Sequence, residues 1–207
     1  MTGRPRPFLL GLTGSIGMGK STTAEMFRAE GVPVWDADAA VHRIYGAGGS
    51  GAVALSPLVP GVVTPDGGVD RAALRAAIGE DPALLGRVEG LIHPLVAEDR
   101  AAFLAAAEAG LVVCDIPLLF ETGADAWLDA VLVVTAPPEV QRARVMARPD
   151  MTEQDFARYL ARQTPDAEKR ARADHVIDTS LGIEHARGQV RSLVARLNGS
   201  RNGGNDA

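Results

Sequence analysis

A chain of 207 residues with 46% hydrophobic and 23% charged side chains can bury one sizeable core, and this composition excludes a disordered or fibrous protein. A single cysteine, Cys114, excludes a disulfide within the chain and a multi-cysteine metal site, and it fits a reducing compartment. The net charge of −5 argues against a general nucleic-acid binder, and no apolar run is long enough to span a bilayer.

The first residues carry Arg4 and Arg6 but lead into too short an apolar stretch for a secretory signal. A cytoplasmic protein without membrane contact is therefore expected. Residues 8–12 predict a strand ending in glycines, and residues 21–30 a helix stopped by Gly31. A second strand is expected over 32–35, closing on Asp36, Ala37 and Asp38. Glycines make 46–51 a loop, and three prolines with Asp66, Gly67 and Gly68 make 55–70 irregular. Helices are expected over 71–77 and 83–109, the latter bent or broken at Pro94.

Further strands are predicted at 111–116, 130–135 and 175–178, with helices at 138–147, 152–163 and 183–197. Short β-branched strands alternating with helices give an α/β fold, a parallel five-stranded sheet covered by helices on both faces. The whole is expected as one domain over 1–198, with a lobe at about 40–110 and a lid at about 137–165. The glycine- and asparagine-rich residues 199–207 are expected to be disordered.

Gly14, Ser15, Ile16, Gly17, Met18, Gly19, Lys20 and Ser21 match G-x-x-x-x-G-K-[ST] at every fixed position, between a strand and a helix. Glycines let the backbone curl so that N–H groups converge on phosphate oxygens, and the helix N-terminus adds positive potential there. Lys20 can reach the β- and γ-phosphates, Ser21 can ligate Mg²⁺, and Thr22 can meet the α-phosphate. The bland reading is a chance glycine turn before a helix, and the strand and helix around it argue against that.

A P-loop alone names no reaction. No Asn precedes a Lys and no Asp precedes a Gly by three, so GTPase base-reading and switch motifs are absent. Transporter and protein-kinase signatures are absent too. A small P-loop kinase of metabolites remains. Residues 141–172 hold eight basic residues against five acidic ones in an acidic chain. Arg144 and Arg148, four apart on one helical face, suit a phosphate clamp; a solvated helix surface is the alternative for each.

In parallel α/β sheets, ligands gather at the carboxyl ends of strands. Asp36, Asp38 and Asp115 stand there as a possible general base and as direct or water-mediated Mg²⁺ ligands, or as turn and helix caps. His93, beside Pro94, carries no role on its own.

Taken together, several segments resemble the dephospho-CoA kinase family. They are residues 11–22, Asp36-Ala37-Asp38, Asp70-Arg71, Leu91-Ile92-His93-Pro94, and Asp115-Ile116-Pro117-Leu118-Leu119-Phe120-Glu121. Arg144, Arg148, Gln163 and residues 173–178 complete the match, which spans about residues 8–198. The resemblance implies transfer of the ATP γ-phosphoryl group to the ribose 3′-hydroxyl of dephospho-CoA. It implies a P-loop core, a helical CoA-binding lobe and a helical lid, with ATP and dephospho-CoA as partners; Mg²⁺ is the expected cofactor from the phosphate loop, and the sequence leaves the oligomeric state open, with a monomer favoured. Carried onto this chain, Asp38 is the general base, Lys20 and Arg144 stabilise the transferring phosphoryl, and Arg71, His93 and Phe120 fall on the acceptor side. The family's helix near 46–69 looks shortened or interrupted here. A nucleoside monophosphate kinase and a non-catalytic nucleotide sensor are the alternatives.

Overall fold

The computed structural model describes residues 6–202, with side chains to residue 199. The chain divides into two compact units, one formed by residues up to 35 together with those from 107 onward, the other by residues 36–106.

The first unit is built on strands β1 (Phe8–Thr13), β2 (Val34–Asp36), β3 (Leu111–Asp115), β4 (Ala130–Thr135) and β5 (His175–Asp178), in spatial order β2-β3-β1-β4-β5. The pairs β1–β3, β1–β4 and β4–β5 are parallel, with Leu10 opposite Val113 and Val133 opposite Val176. The inner strands β1, β3 and β4 are almost wholly buried, and that is why they read as continuous apolar runs rather than alternating ones. Leu10, Leu12, Val113, Leu132 and Val134 form the core with Phe27 of α1 (Lys20–Ala29) and Val190 and Leu193 of α9 (Ile183–Asn202). Because β1 lies between β3 and β4, the chain leaves the middle of the sheet at its carboxyl end, where α/β sheets bind ligands.

The second unit consists of α2 (Ala37–Tyr45), α3 (Ser50–Leu55), α4 (Arg71–Glu80) and α5 (Leu84–Ala106). Ile44, Leu55, Val62, Leu74, Val88 and Ile92 make its own apolar core. Asp70 caps α4 by accepting the Ala72 and Ala73 N–H groups at 2.8 and 3.0 Å. Between α3 and α4 the chain is irregular as expected, tied by one antiparallel bridge, Val63 to Val69.

Several boundaries differ from expectation. The second strand starts at Val34, after Pro33, which has no N–H to give a ladder. Residues 37–45 are a helix, because Asp36 caps its start by accepting Ala39 N–H at 2.9 Å. The loop at 46–51 gives way to α3 at Ser50, so the region is less irregular than its glycines suggest. Pro94 lies inside α5 without ending it. The segment expected as a lid holds α6 (Pro138–Met146) and α7 (Glu153–Ala161), followed by α8 (Asp166–Arg172), where no helix was expected. The last helix continues to Asn202, past the predicted start of disorder, and the rest of the expected tail, 203–207, lies outside the described residues.

Candidate active site

The loop between β1 and α1 holds Gly17 at φ 79° and Gly19 at φ 87°, both left-handed, which a side chain would strain. A Cβ on Gly17 would also come within 2.5 Å of Val145 Cγ2. No side chain caps α1, so the N–H groups of its first turn are left for a ligand, at the positive end of the helix. Lys20 Nζ lies 2.5 Å from Asp115 Oδ1 at the buried end of β3. Met18 N–H donates to Ser15 C=O at 3.1 Å, and Ile16 N–H donates to Gln163 Oε1 at 3.0 Å. Ser15 is buried, whereas Ser21 and Thr22 are exposed.

Beside this loop lies a cavity of about 350 Å³, lined by Gly17, Gly19, Thr22, Arg144, Arg148 and Thr179 among others. Arg144 is held in place by donating to Thr179 Oγ1 at 2.8 Å and to Thr179 C=O at 2.7 Å. The Thr179 hydroxyl lies 2.9 Å from Met18 C=O of the loop. Arg148 is exposed, and its guanidinium has no partner among the described residues. The two arginines therefore face one cavity with different freedom, and they should answer differently to truncation. Arg148→Ala is expected to weaken binding of a phosphate-bearing ligand by about tenfold, the loss of one charged hydrogen bond, with Tm unchanged. Arg144→Ala should lower both kcat and Tm, as steady-state kinetics and thermal melts would register.

In the second unit, Asp36 is spent on the helix cap, while Asp38 stands exposed in the first turn of α2. His42 and Tyr45 follow Asp38 at helical spacing, so the three share a face. Arg71 joins them: its guanidinium lies 5.4 Å over the Tyr45 ring, with one nitrogen 3.3 Å from His42 Nδ1. The sequence had suggested Asp38 and Arg71 but not His42 and Tyr45, whose signal was the unrecognised helix. His93 is exposed on α5, immediately before Pro94.

Phe120 is buried in the first unit, with the Arg172 guanidinium 4.2 Å over its ring. Its neighbour Glu121 accepts the Thr164 N–H at 2.7 Å and lies 3.2 Å from Lys169 Nζ. Burial pushes the Glu121 carboxyl up, but backbone N–H donors and Lys169 together hold it below its ordinary value of 4.5. A carboxyl lowered on folding stabilises the fold fully above its unfolded value and stops doing so as pH falls through its folded one. Tm should accordingly fall as the solution is acidified below about pH 4.5. Glu121→Gln should flatten that part of the profile, which melting curves across pH would reveal.

For Mg²⁺, the chemistry of the donors can be tested directly. Ser21 and Asp115 offer hard oxygen atoms next to a phosphate-binding loop, as the ion prefers. Among the described residues there is no group of three or more His, Cys, Asp or Glu arranged for a metal.

The family model for dephospho-CoA kinase, CoaE, matches residues 8–185. The dephospho-CoA kinase of Cereibacter sphaeroides is 60% identical over 192 residues, covering 93% of this chain and 96% of that protein. That of Mesorhizobium japonicum is 55% identical, covering 93% and 98%. The chain belongs to the dephospho-CoA kinase family. It is a nucleotide-binding phosphotransferase of coenzyme A biosynthesis, with the parallel α/β fold expected of it. A crystal structure from Thermus thermophilus superposes with TM-score 0.81 at 36% identity, covering 93% of this chain and 99% of that one. The Campylobacter jejuni dephospho-CoA kinase shares the fold at TM-score 0.68 and 23% identity. No helix among the described residues is long and apolar enough to cross a membrane.

Proposed function

We propose that this protein transfers the γ-phosphoryl group of ATP to the 3′-hydroxyl of dephospho-CoA, giving CoA and ADP. Family membership carries the substrate pair; the uncapped P-loop helix beside the arginine-lined cavity supports ATP as the donor. As the 3′-oxygen attacks phosphorus, its O–H bond breaks and the proton passes to the Asp38 carboxylate. The new O–P bond forms while the bond from phosphorus to the β,γ-bridging oxygen breaks, and ADP departs with that electron pair.

Residues 14–22 supply the backbone cradle. Phosphate oxygens replace Asp115 as the partner of Lys20, so that the ammonium meets the negative charge on the phosphoryl group. Arg144 is fixed on Thr179 and adds a second positive charge, and Arg148 grips the nucleotide from the lid. Bound Mg²⁺, held through Ser21 with Asp115 acting directly or through water, would neutralise charge on the β- and γ-phosphates. Arg71, His93 and Phe120 are the acceptor-side residues that family membership suggests, and Arg71 with His42 and Tyr45 supplies donors and a ring face for a phosphorylated, adenine-bearing acceptor. The lid, residues 137–165, excludes water, the competing acceptor. A cytoplasmic monomer needing no nucleic acid or membrane completes the reading.

The deciding experiment is ADP release coupled to mass detection of CoA, with ATP, Mg²⁺ and dephospho-CoA, against AMP, CMP and UMP as rival acceptors. CoA formation outpacing transfer to every rival is expected. Faster transfer to a nucleoside monophosphate, or ATP binding without transfer, would overturn the proposal.

A further inference from the structure

One chain of contacts joins residues that the transfer chemistry leaves unused. Lys169 is fully buried, and its Nζ has no hydrogen-bond partner among the described residues. Its counter-charge is Glu121 Oε1 at 3.2 Å. A buried ammonium is costly, so a fold that keeps one holds its carboxylate partner firmly in place. The same Oε1 accepts the Thr164 N–H at 2.7 Å, which fixes the chain just after α7.

The residue before Thr164 is Gln163, and its Oε1 accepts the Ile16 N–H of the P-loop. From the other end of the lid segment, the buried Gln141 donates through Nε2 to Ile16 C=O at 2.8 Å. Both amide orientations are forced, since an N–H can be met only by an amide oxygen and a carbonyl only by an amide nitrogen. Ile16 is thus held on both polar groups by the two ends of the lid segment. The next residue is Gly17, where the loop turns left-handed.

We propose that Gln163, fixed through Thr164 by Glu121 and Lys169, is a positioning residue for phosphoryl transfer. It keeps the P-loop in register with the lid, so that the terminal phosphoryl meets the acceptor hydroxyl rather than water. The inference rests on the kinase reading above. It is physically reasonable because the peptide that Gln163 holds lies within the cradle, and small misplacements at a reacting centre cost large factors in rate. The Gln163 Nε2 donors have no partner among the described residues, so the hold on Ile16 is the contact that this side chain makes within the fold.

The test uses the full-length protein, measuring ADP release and CoA formation in parallel, with Tm recorded for each variant. Gln163→Leu removes the acceptor from a half-buried side chain and is expected to melt like the wild type. Its kcat for CoA should fall about ten- to a hundredfold, with KM for ATP changing far less and ADP release exceeding CoA formed. The double variant Lys169→Met with Glu121→Ala deletes the buried ammonium and its counter-charge together and should show the same excess of ADP over CoA. Wild-type kcat and matched ADP and CoA in Gln163→Leu would overturn the inference, as would a loss of rate that merely follows a fall in Tm. Matched ADP and CoA in the double variant would overturn the part given to Glu121 and Lys169. Wild-type protein in the same assay separates the two ideas, because absence of CoA there overturns the kinase reading itself.

Discussion

Asp38→Asn is expected to lower kcat by about two to four orders of magnitude, the range for loss of a positioned general base, while ATP affinity stays near that of the wild type. The amide preserves the shape of the side chain but takes no proton at neutral pH, so the 3′-oxygen must attack without help. Asp38 is exposed in the first turn of α2 and caps nothing, because Asp36 takes that role. The folding cost is therefore confined to a lost charge at a helix N-terminus, about 0.3–1 kcal/mol. A pre-steady-state comparison of ADP formation, with ATP binding titrated separately, makes the check. Near-wild-type turnover in Asp38→Asn would reassign the base, and a parallel loss of ATP binding would mean that the carboxylate serves the nucleotide.

Lys20→Ala should reduce transfer by about three orders of magnitude or more, as expected when a charge aimed at the transferring group is removed. It should also destabilise the fold, a consequence of the structure that the motif does not disclose. Lys20 Nζ pairs with Asp115, whose side chain is only 4% exposed, and the alanine takes that partner from a buried carboxylate. A charged hydrogen bond of this kind is worth about 1.5–3 kcal/mol. Asp115→Asn in the same background removes the buried charge and should restore part of the Tm without restoring activity. Tm and kcat measured on the single and double variants would separate the two roles of the lysine. Recovery of activity in the double variant would show that the loss came from folding and not from chemistry.

The core strands were legible because strands buried on both faces must be continuously apolar, as residues 9–12, 111–114 and 130–134 are. The P-loop was legible because its glycines answer a steric demand that few other sequences satisfy. What stayed hidden depended on contacts distant in sequence or on local capping. The helix α2 rests on the Asp36 side chain bonding three residues ahead, and its face of Asp38, His42 and Tyr45 was hidden with it. Thr179, which seats Arg144, lies one residue past the 173–178 segment that drew notice, and nothing local marks its hydroxyl as a strut. Lys169 read as one more cation on a basic stretch, and only its packing shows it to be buried.

The placement of β1 has a consequence for how the chain comes to be folded at all. The strand is made first, yet its partners are made late: Phe8 pairs with Leu111, and Leu10 with Ala130. Residues 36–106 can close their own contacts while β1 waits, apolar and with both edges open. Pairings that far apart in sequence slow folding and leave hydrophobic edges open to association in the meantime. The P-loop cannot take its shape before then, since Met18, Gly17 and Ile16 lean on Thr179, Val145 and Gln163. During synthesis, phosphate binding is therefore among the last properties this chain acquires, and truncated products should lack it while remaining prone to aggregate.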